Sequence, residues 1–264
     1  MDTPQNDRSL IPRLSSGLMR ILSEMVGATL ALARRGSNKA EPTALDCSWY
    51  ELRELDLSKY PGLTALDCSF NKLSTFNLSY VPGLKMLSCE ENFRLAELDL
   101  SCVPNFRELY CGGNQLTELG LSFVPRLTVL ECSGNRHWQE YAGNELTALD
   151  LSCIPELTKL LCSGNYIAEL KLSAVPQLRV LECSWNSLTK LDLSSVSRMR
   201  KLQCDHNQLT ELDLSNLPRL RELTCNNNQL TTLDIRELRR LQKLSCDKSV
   251  QVIQRADQHF EPGP

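Results

Sequence analysis

Ten cysteines, Cys47, Cys68, Cys89, Cys111, Cys132, Cys162, Cys183, Cys204, Cys225 and Cys246, beat out a period along the chain: successive spacings are 21 residues seven times, 22 once and 30 once. Around them recurs the string L-x-x-L-x-C-x-x-N-x-L-x-x-L-D-L-S-x-x-P. A unit this short cannot bury its own apolar face and must stack on its neighbours, so the chain is restricted to a repeat solenoid. The expectation is a mainly β arc of about ten coils over residues 42–249, preceded by a tail and capping helix over 1–41 and followed by a cap and tail over 250–264.

Counting from the leucine that opens each unit, positions 4 and 6 carry Leu and Cys two apart, as in Leu66 with Cys68. That is the period of a strand with alternate residues facing inward, and it predicts the first sheet. Position 9 is Asn71, Asn92, Asn114, Asn135, Asn165, Asn186, Asn207 and Asn228. A carboxamide turned inward can satisfy backbone groups left unpaired where a strand ends, so one per coil predicts a hydrogen-bonded ladder. Positions 14 to 17 read Leu-Asp-Leu-Ser, for example at Leu191–Ser194, and restore the alternation, which predicts a second extended segment on the opposite side. Proline at position 20, as at Pro82 and Pro176, fits the corner between coils.

Before the repeats, Leu14, Leu18, Ile21, Met25, Ala28 and Leu32 are spaced three and four apart, which predicts one amphipathic helix. Glu24 and Arg20 interrupt the apolar stretch that a secretory signal would need. No run approaches the roughly 20 apolar residues of a membrane-spanning helix. Twelve cysteines would suggest disulfides, but ten occupy one repeat position, as buried thiols filling a narrow core would. Reduced thiols in turn imply a reducing, cytoplasmic compartment.

These units resemble the leucine-rich repeat family, and Cys at position 6 followed by Leu-Asp-Leu-Ser is similar to its bacterial 21-residue IRREKO-like subclass. The resemblance implies non-catalytic protein recognition with no cofactor, often by bacterial surface proteins or by effectors delivered into a host cell's cytosol. Three places depart from the pattern: Tyr50 and Ser249 replace the ladder Asn in the terminal coils, and nine extra residues fall within 136–145.

Candidate partner-binding residues follow from the rows that positions 5 and 8 make across the first-sheet face. They are Tyr110, Glu131, Leu161 and Glu182 at position 5, and Trp49, Phe70, Trp185 and His206 at position 8. The inserted segment adds His137, Trp138 and Tyr141, because loops on a rigid scaffold often carry recognition. The bland readings are that Trp49 and Phe70 pack beneath the N-terminal helix and that isolated surface aromatics are ordinary. Self-association through an incompletely capped terminal coil is the alternative to a foreign partner, so the chain is expected to be a monomer or to associate weakly.

Other functions find less support. The net charge of −3 gives no global attraction to nucleic acid. Arg198, Arg200, Lys201, Arg219, Arg221, Arg240 and Lys243 gather late, but Glu211, Asp213, Glu222, Asp234 and Glu237 interleave with them, which reads as a solvated mixed-charge face. Cys204, Asp205 and His206 are adjacent, yet strand alternation sends Cys204 inward and Asp205 outward, which argues against a catalytic pair. Three histidines without ligand spacing argue against a metal site. Cys102 and Cys153, at position 18, stand apart from the ladder.

Overall fold

The structure, a computed structural model, describes residues 42–134, 144–258 and 261–262. The helix expected before residue 42 lies outside them, as do Asn135, His137, Trp138 and Tyr141. The first-sheet strands are β1 (Ala44–Asp46), β2 (Ala65–Asp67), β3 (Met86–Ser88), β4 (Glu108–Tyr110), β5 (Val129–Glu131), β6 (Lys159–Leu161), β7 (Val180–Glu182), β8 (Lys201–Gln203) and β9 (Glu222–Thr224). After β10 (Thr232–Asp234) come β11 (Lys243–Ser245), β12 (Gln251–Ile253) and β13 (Glu261–Pro262). Strands β1 to β9, then β11 and β13, pair in sequence order as one parallel 11-stranded sheet, and β10 pairs with β12 apart from it.

Each strand is short because only positions 3 to 5 lie between the corner and the ladder turn. The middle leucine of β2 to β9, from Leu66 to Leu223, is fully buried. Leucines at positions 1, 11 and 16, an aliphatic residue at 19 and the cysteine at 6 complete the core, as Leu63, Leu73, Leu78, Val81 and Cys68 do in one coil. Each large aliphatic side chain so buried contributes about 1.5–3 kcal/mol relative to exposure. At the corner, the N–H of Val81 donates to Leu78 and that of Leu84 to Val81, both at 3.0 Å. Pro82 and Gly83 occupy the middle of the second turn, where a fixed φ and a missing N–H cost nothing.

The asparagine ladder is continuous. Asn165 donates through Nδ2 to the carbonyls of Cys132 (3.0 Å) and Cys162 (3.1 Å), while its Oδ1 accepts the N–H of Leu146 (3.0 Å). Every rung therefore ties its own coil to the preceding one.

One expectation needs correction. The ladder place given to Asn135 is filled by Asn144, which donates to Cys111 (2.8 Å) and Cys132 (3.1 Å) and accepts from Leu116 N–H (3.0 Å). The extra nine residues are thus 135–143, inserted before the ladder residue instead of after it. Register across β5 and β6 is unaffected, with Leu130 opposite Leu160. The second segment is extended on the opposite side, as expected, without joining into a continuous sheet. Asp56 and Asn77 are extended (φ −89°, ψ 100° and φ −106°, ψ 109°), but 3-10 turns follow at Leu57–Lys59 and Leu78–Tyr80. The carboxylates of Asp56, Asp99, Asp150, Asp192 and Asp213 each accept the N–H of the serine two residues on. Such local bonds offer the backbone an alternative to a strand ladder. Among the described residues, only β10 and β12 pair on this side.

Candidate functional site

Position 8, just before each ladder residue, adopts left-handed backbone in coil after coil: Trp49 (φ 67°), Phe70 (56°), Glu91 (56°), Gly113 (65°), Gly164 (71°), Trp185 (57°), His206 (52°) and Asn227 (55°). A bulky residue here is an outlier, with a typical cost of about 1–3 kcal/mol, and persists only where the surroundings enforce it. The ladder enforces it by fixing the next residue from three sides. Ring planes in neighbouring coils are consequently brought parallel. Trp49 stacks on Phe70 with centroids 3.9 Å apart and planes 7° from parallel, and Trp185 stacks on His206 at 3.5 Å and 13°. Trp49 is 51% and Trp185 36% exposed.

The Trp185–His206 stack borders a polar hollow. Asp205 accepts from the backbone and side-chain nitrogens of Asn226, each at 2.8 Å, and from the hydroxyls of Ser184 (3.3 Å) and Thr224. Asn227 reaches His206 Nε2 at 3.0 Å, and its N–H donates to Asp247 at 2.8 Å. These contacts hold the imidazole against the indole. Cys204 is buried beneath them with its thiol pushed up by burial, so it is no nucleophile for His206 to activate.

A second polar group lies nearer the N-terminal end. Burial first, then Glu131 and Asp67, push Glu90 up to about 8, and burial likewise raises Glu131. The N–H of Ser133 donates to Glu131 at 3.1 Å, Ser88 reaches Glu90 at 3.4 Å, and Ser69 and Ser88 hydroxyls lie 2.6 Å apart. A Cβ on Gly112 would come within 2.4 Å of Glu131 Oε2, so the absence of a side chain there makes room for this carboxyl.

The expected row residues therefore divide. Tyr110 is buried, its hydroxyl donating to Glu108 at 3.0 Å. Glu131 belongs to the carboxyl pair, and Glu182 is bridged by Lys201 at 2.7 Å. Leu161 is half-buried between them in the sheet. Trp49 with Phe70, and Trp185 with His206, form two separate stations on one ridge. Between them stands Gly134, at position 8 and directly before the insertion. A Cβ on Gly134 would lie 2.0 Å from the carbonyl oxygen of Gly164, so only glycine lets the two coils approach there. Position 7 escaped the sequence reading. It is serine at Ser48, Ser69, Ser133, Ser163 and Ser184, and its departures, Glu90, Gly112, Asp205, Asn226 and Asp247, mark both polar groups.

Among the described residues, no group of three or more His, Cys, Asp or Glu is placed to hold a metal ion, and no helix is long and apolar enough to cross a membrane. The model of leucine-rich repeats in two copies matches residues 197–237. No curated protein sequence matches the chain. Among solved structures, the functional domain of InlJ from Listeria monocytogenes, described as including a cysteine ladder, is similar at 32% identity and a TM-score of 0.64. The match covers 78% of this chain and 49% of that domain's chain, so this chain spans about half the length of the InlJ domain it matches. A leucine-rich-repeat protein of Leptospira interrogans matches at 20% identity and TM-score 0.60, over 76% of this chain and 59% of that one. Internalin C2 of Listeria monocytogenes matches at 17% and 0.54, over 78% and 80%. The last two share the fold.

Proposed function

We propose that this leucine-rich-repeat chain is a non-catalytic scaffold that recognises a partner protein through its first-sheet face, beside the insertion at 135–143. The carrying observation is the ridge of aromatic rings held in left-handed backbone by the asparagine ladder. Rigid aromatics present large contact area at low entropic cost, and strain maintained at a surface is a mark of function. The 21-residue spacing with Cys at position 6 supports a place in the bacterial IRREKO-like subclass, and the similarity to InlJ supports a bacterial effector acting in a host cell. All twelve cysteines are free thiols, which favours a reducing compartment, the cytoplasm or the host cytosol. The apolar spacing between Leu14 and Leu32 supports a capping helix ahead of the first coil.

The test is affinity capture with the intact chain, with Trp185→Ala and with residues 135–143 deleted, from bacterial and eukaryotic lysates under reducing conditions. One protein retained by the intact chain and lost with either variant, at unchanged unfolding temperature, is the expected result. Recovery of the chain alone would shift the reading to self-association, and equal retention by every variant would remove the ridge from the interface.

A further inference from the structure

Arginines and acids interleave late in the sequence but part company in the fold. Glu211, Asp213, Asp234 and Glu237 line a groove on the side of the second segments, together with Asp192. Glu222 faces the sheet, 3.8 Å from Lys243. The arginines gather instead on the corner that leads into the first sheet. Arg198, Arg219 and Arg240 stand at position 21 of successive coils, and Arg179, Arg200 and Arg221 at position 2, beside the buried residues Leu178, Met199, Leu220 and Leu241.

Backbone bonds fix the second row. The N–H of Arg200 donates to the carbonyl of Arg179 at 2.7 Å, and that of Arg221 to Arg200 at 2.8 Å. Hydrogen-bonded neighbours lie about 4.7–4.9 Å apart, so the guanidinium groups crowd into one strip. All six are exposed, and among the described residues none is in an ion pair. Like charges set this close repel, and a surface needing only solubility has no reason to keep them together.

We propose that this arginine ridge docks an extended acidic segment of a partner protein; the inference rests on the protein-recognition reading above. Three observations favour carboxylates. All six side chains are arginine, whose planar fork grips a carboxylate through two parallel bonds as lysine cannot. The same ridge, nearer the N-terminus, already holds a carboxylate: Arg107 at position 2 meets Glu156 at position 21, with Nη1 to Oε2 at 2.7 Å. No aromatic residue occupies positions 21 or 2 in these coils, so stacking of nucleic-acid bases has no platform.

The test is fluorescence anisotropy of a labelled deca-glutamate peptide titrated with the full chain. Salt is set at about 50 mM and about 300 mM, because screening shortens over that range. Binding at low salt, weakened at high salt, is expected. The triple variant Arg200→Ala, Arg219→Ala, Arg221→Ala should weaken it at least about tenfold, with the circular dichroism unchanged. Lys59→Ala, Lys72→Ala, Lys171→Ala, which removes the same charge elsewhere, should not. Absence of binding, equal loss in both triples, or a ridge that takes duplex DNA but not the peptide overturns the proposal. Trp185→Ala separates the readings. If it abolishes partner capture while the arginine triple changes neither capture nor peptide binding, the ridge fails and the recognition scaffold stands. If the peptide binds the ridge but no partner is captured, the scaffold reading fails by itself.

Discussion

Replacing Asn165 by alanine tests the ladder at a fully enclosed rung. Its side chain is fully buried and makes bonds to the carbonyls of Cys132, Cys162 and Ser163 as well as accepting from Leu146. The carbonyls do not lose everything, since Cys132 keeps Asn144 (3.1 Å) and Cys162 keeps Asn186 (2.9 Å). The Leu146 N–H loses the one side-chain acceptor that reaches it. One orphaned buried donor costs about 1–3 kcal/mol, and the weakened carbonyl bonds add about 1 kcal/mol together, so about 2–4 kcal/mol is expected. Repeat arrays can unfold in parts, so a single midpoint is a poor readout. Amide hydrogen exchange is local: Leu146 should exchange at least about tenfold faster in the variant. Asn228→Ala, at a half-buried rung open to water, should cost about 1 kcal/mol or less. Asn144→Ala should behave like Asn165→Ala, whereas Asn135→Ala should not. Unchanged Leu146 exchange, or equal costs at Asn165 and Asn228, would refute the ladder argument.

The carboxyl pair makes stability depend on pH. Glu90 moves from an ordinary 4.5 to about 8 in the fold, so the folded chain holds a proton that the unfolded chain releases. Its contribution is therefore full below about pH 4 and is lost as pH rises through about 8, with Glu131 acting in the same direction as part of one coupled titration. Glu90→Gln should flatten the pH dependence, from pH 5 to 9, of amide protection factors in β3 and β4 and raise that protection at pH 9; an equally steep decline in the variant would exclude the pair as its cause. Thiol labelling of the native chain should mark Cys153, which is exposed, and Cys102, which is half-buried, well before the buried ladder thiols between Cys68 and Cys225. Burial pushes Cys47 and Cys162 up to about 12 and raises the other ladder thiols in the same sense, leaving little thiolate. Labelling of Cys111 or Cys162 at the rate of Cys153 would contradict that burial.

The period, the strand at positions 3 to 5, the inward cysteine and the carboxamide ladder were all legible in the sequence. A repeat states each requirement many times over, so a position such as 4 or 9 declares its environment by what it refuses to change. Where one coil departs from the rest, that redundancy fails. Asn135 has the expected distance from Cys132, but Asn144 has the expected sequel, since Glu145 and Leu146 reproduce the N-x-L of Asn71 to Leu73. Attention to that sequel would have placed the insertion at 135–143. The extended second segment was legible in its alternation, but alternation alone does not reveal that Asp and Ser side chains satisfy the backbone locally and so keep these segments from pairing.

The sequence by itself determined a stack of coils with a leucine and cysteine core sealed by asparagine. Only the tertiary structure decided what the surface presents. Residues at position 8 of adjacent coils are some twenty apart in the chain yet stack ring on ring, because parallel pairing sets matching positions side by side. Acids at positions 13 to 18 and arginines at 21 and 2 alternate along the chain yet face different sides, because a closed coil reverses direction between them.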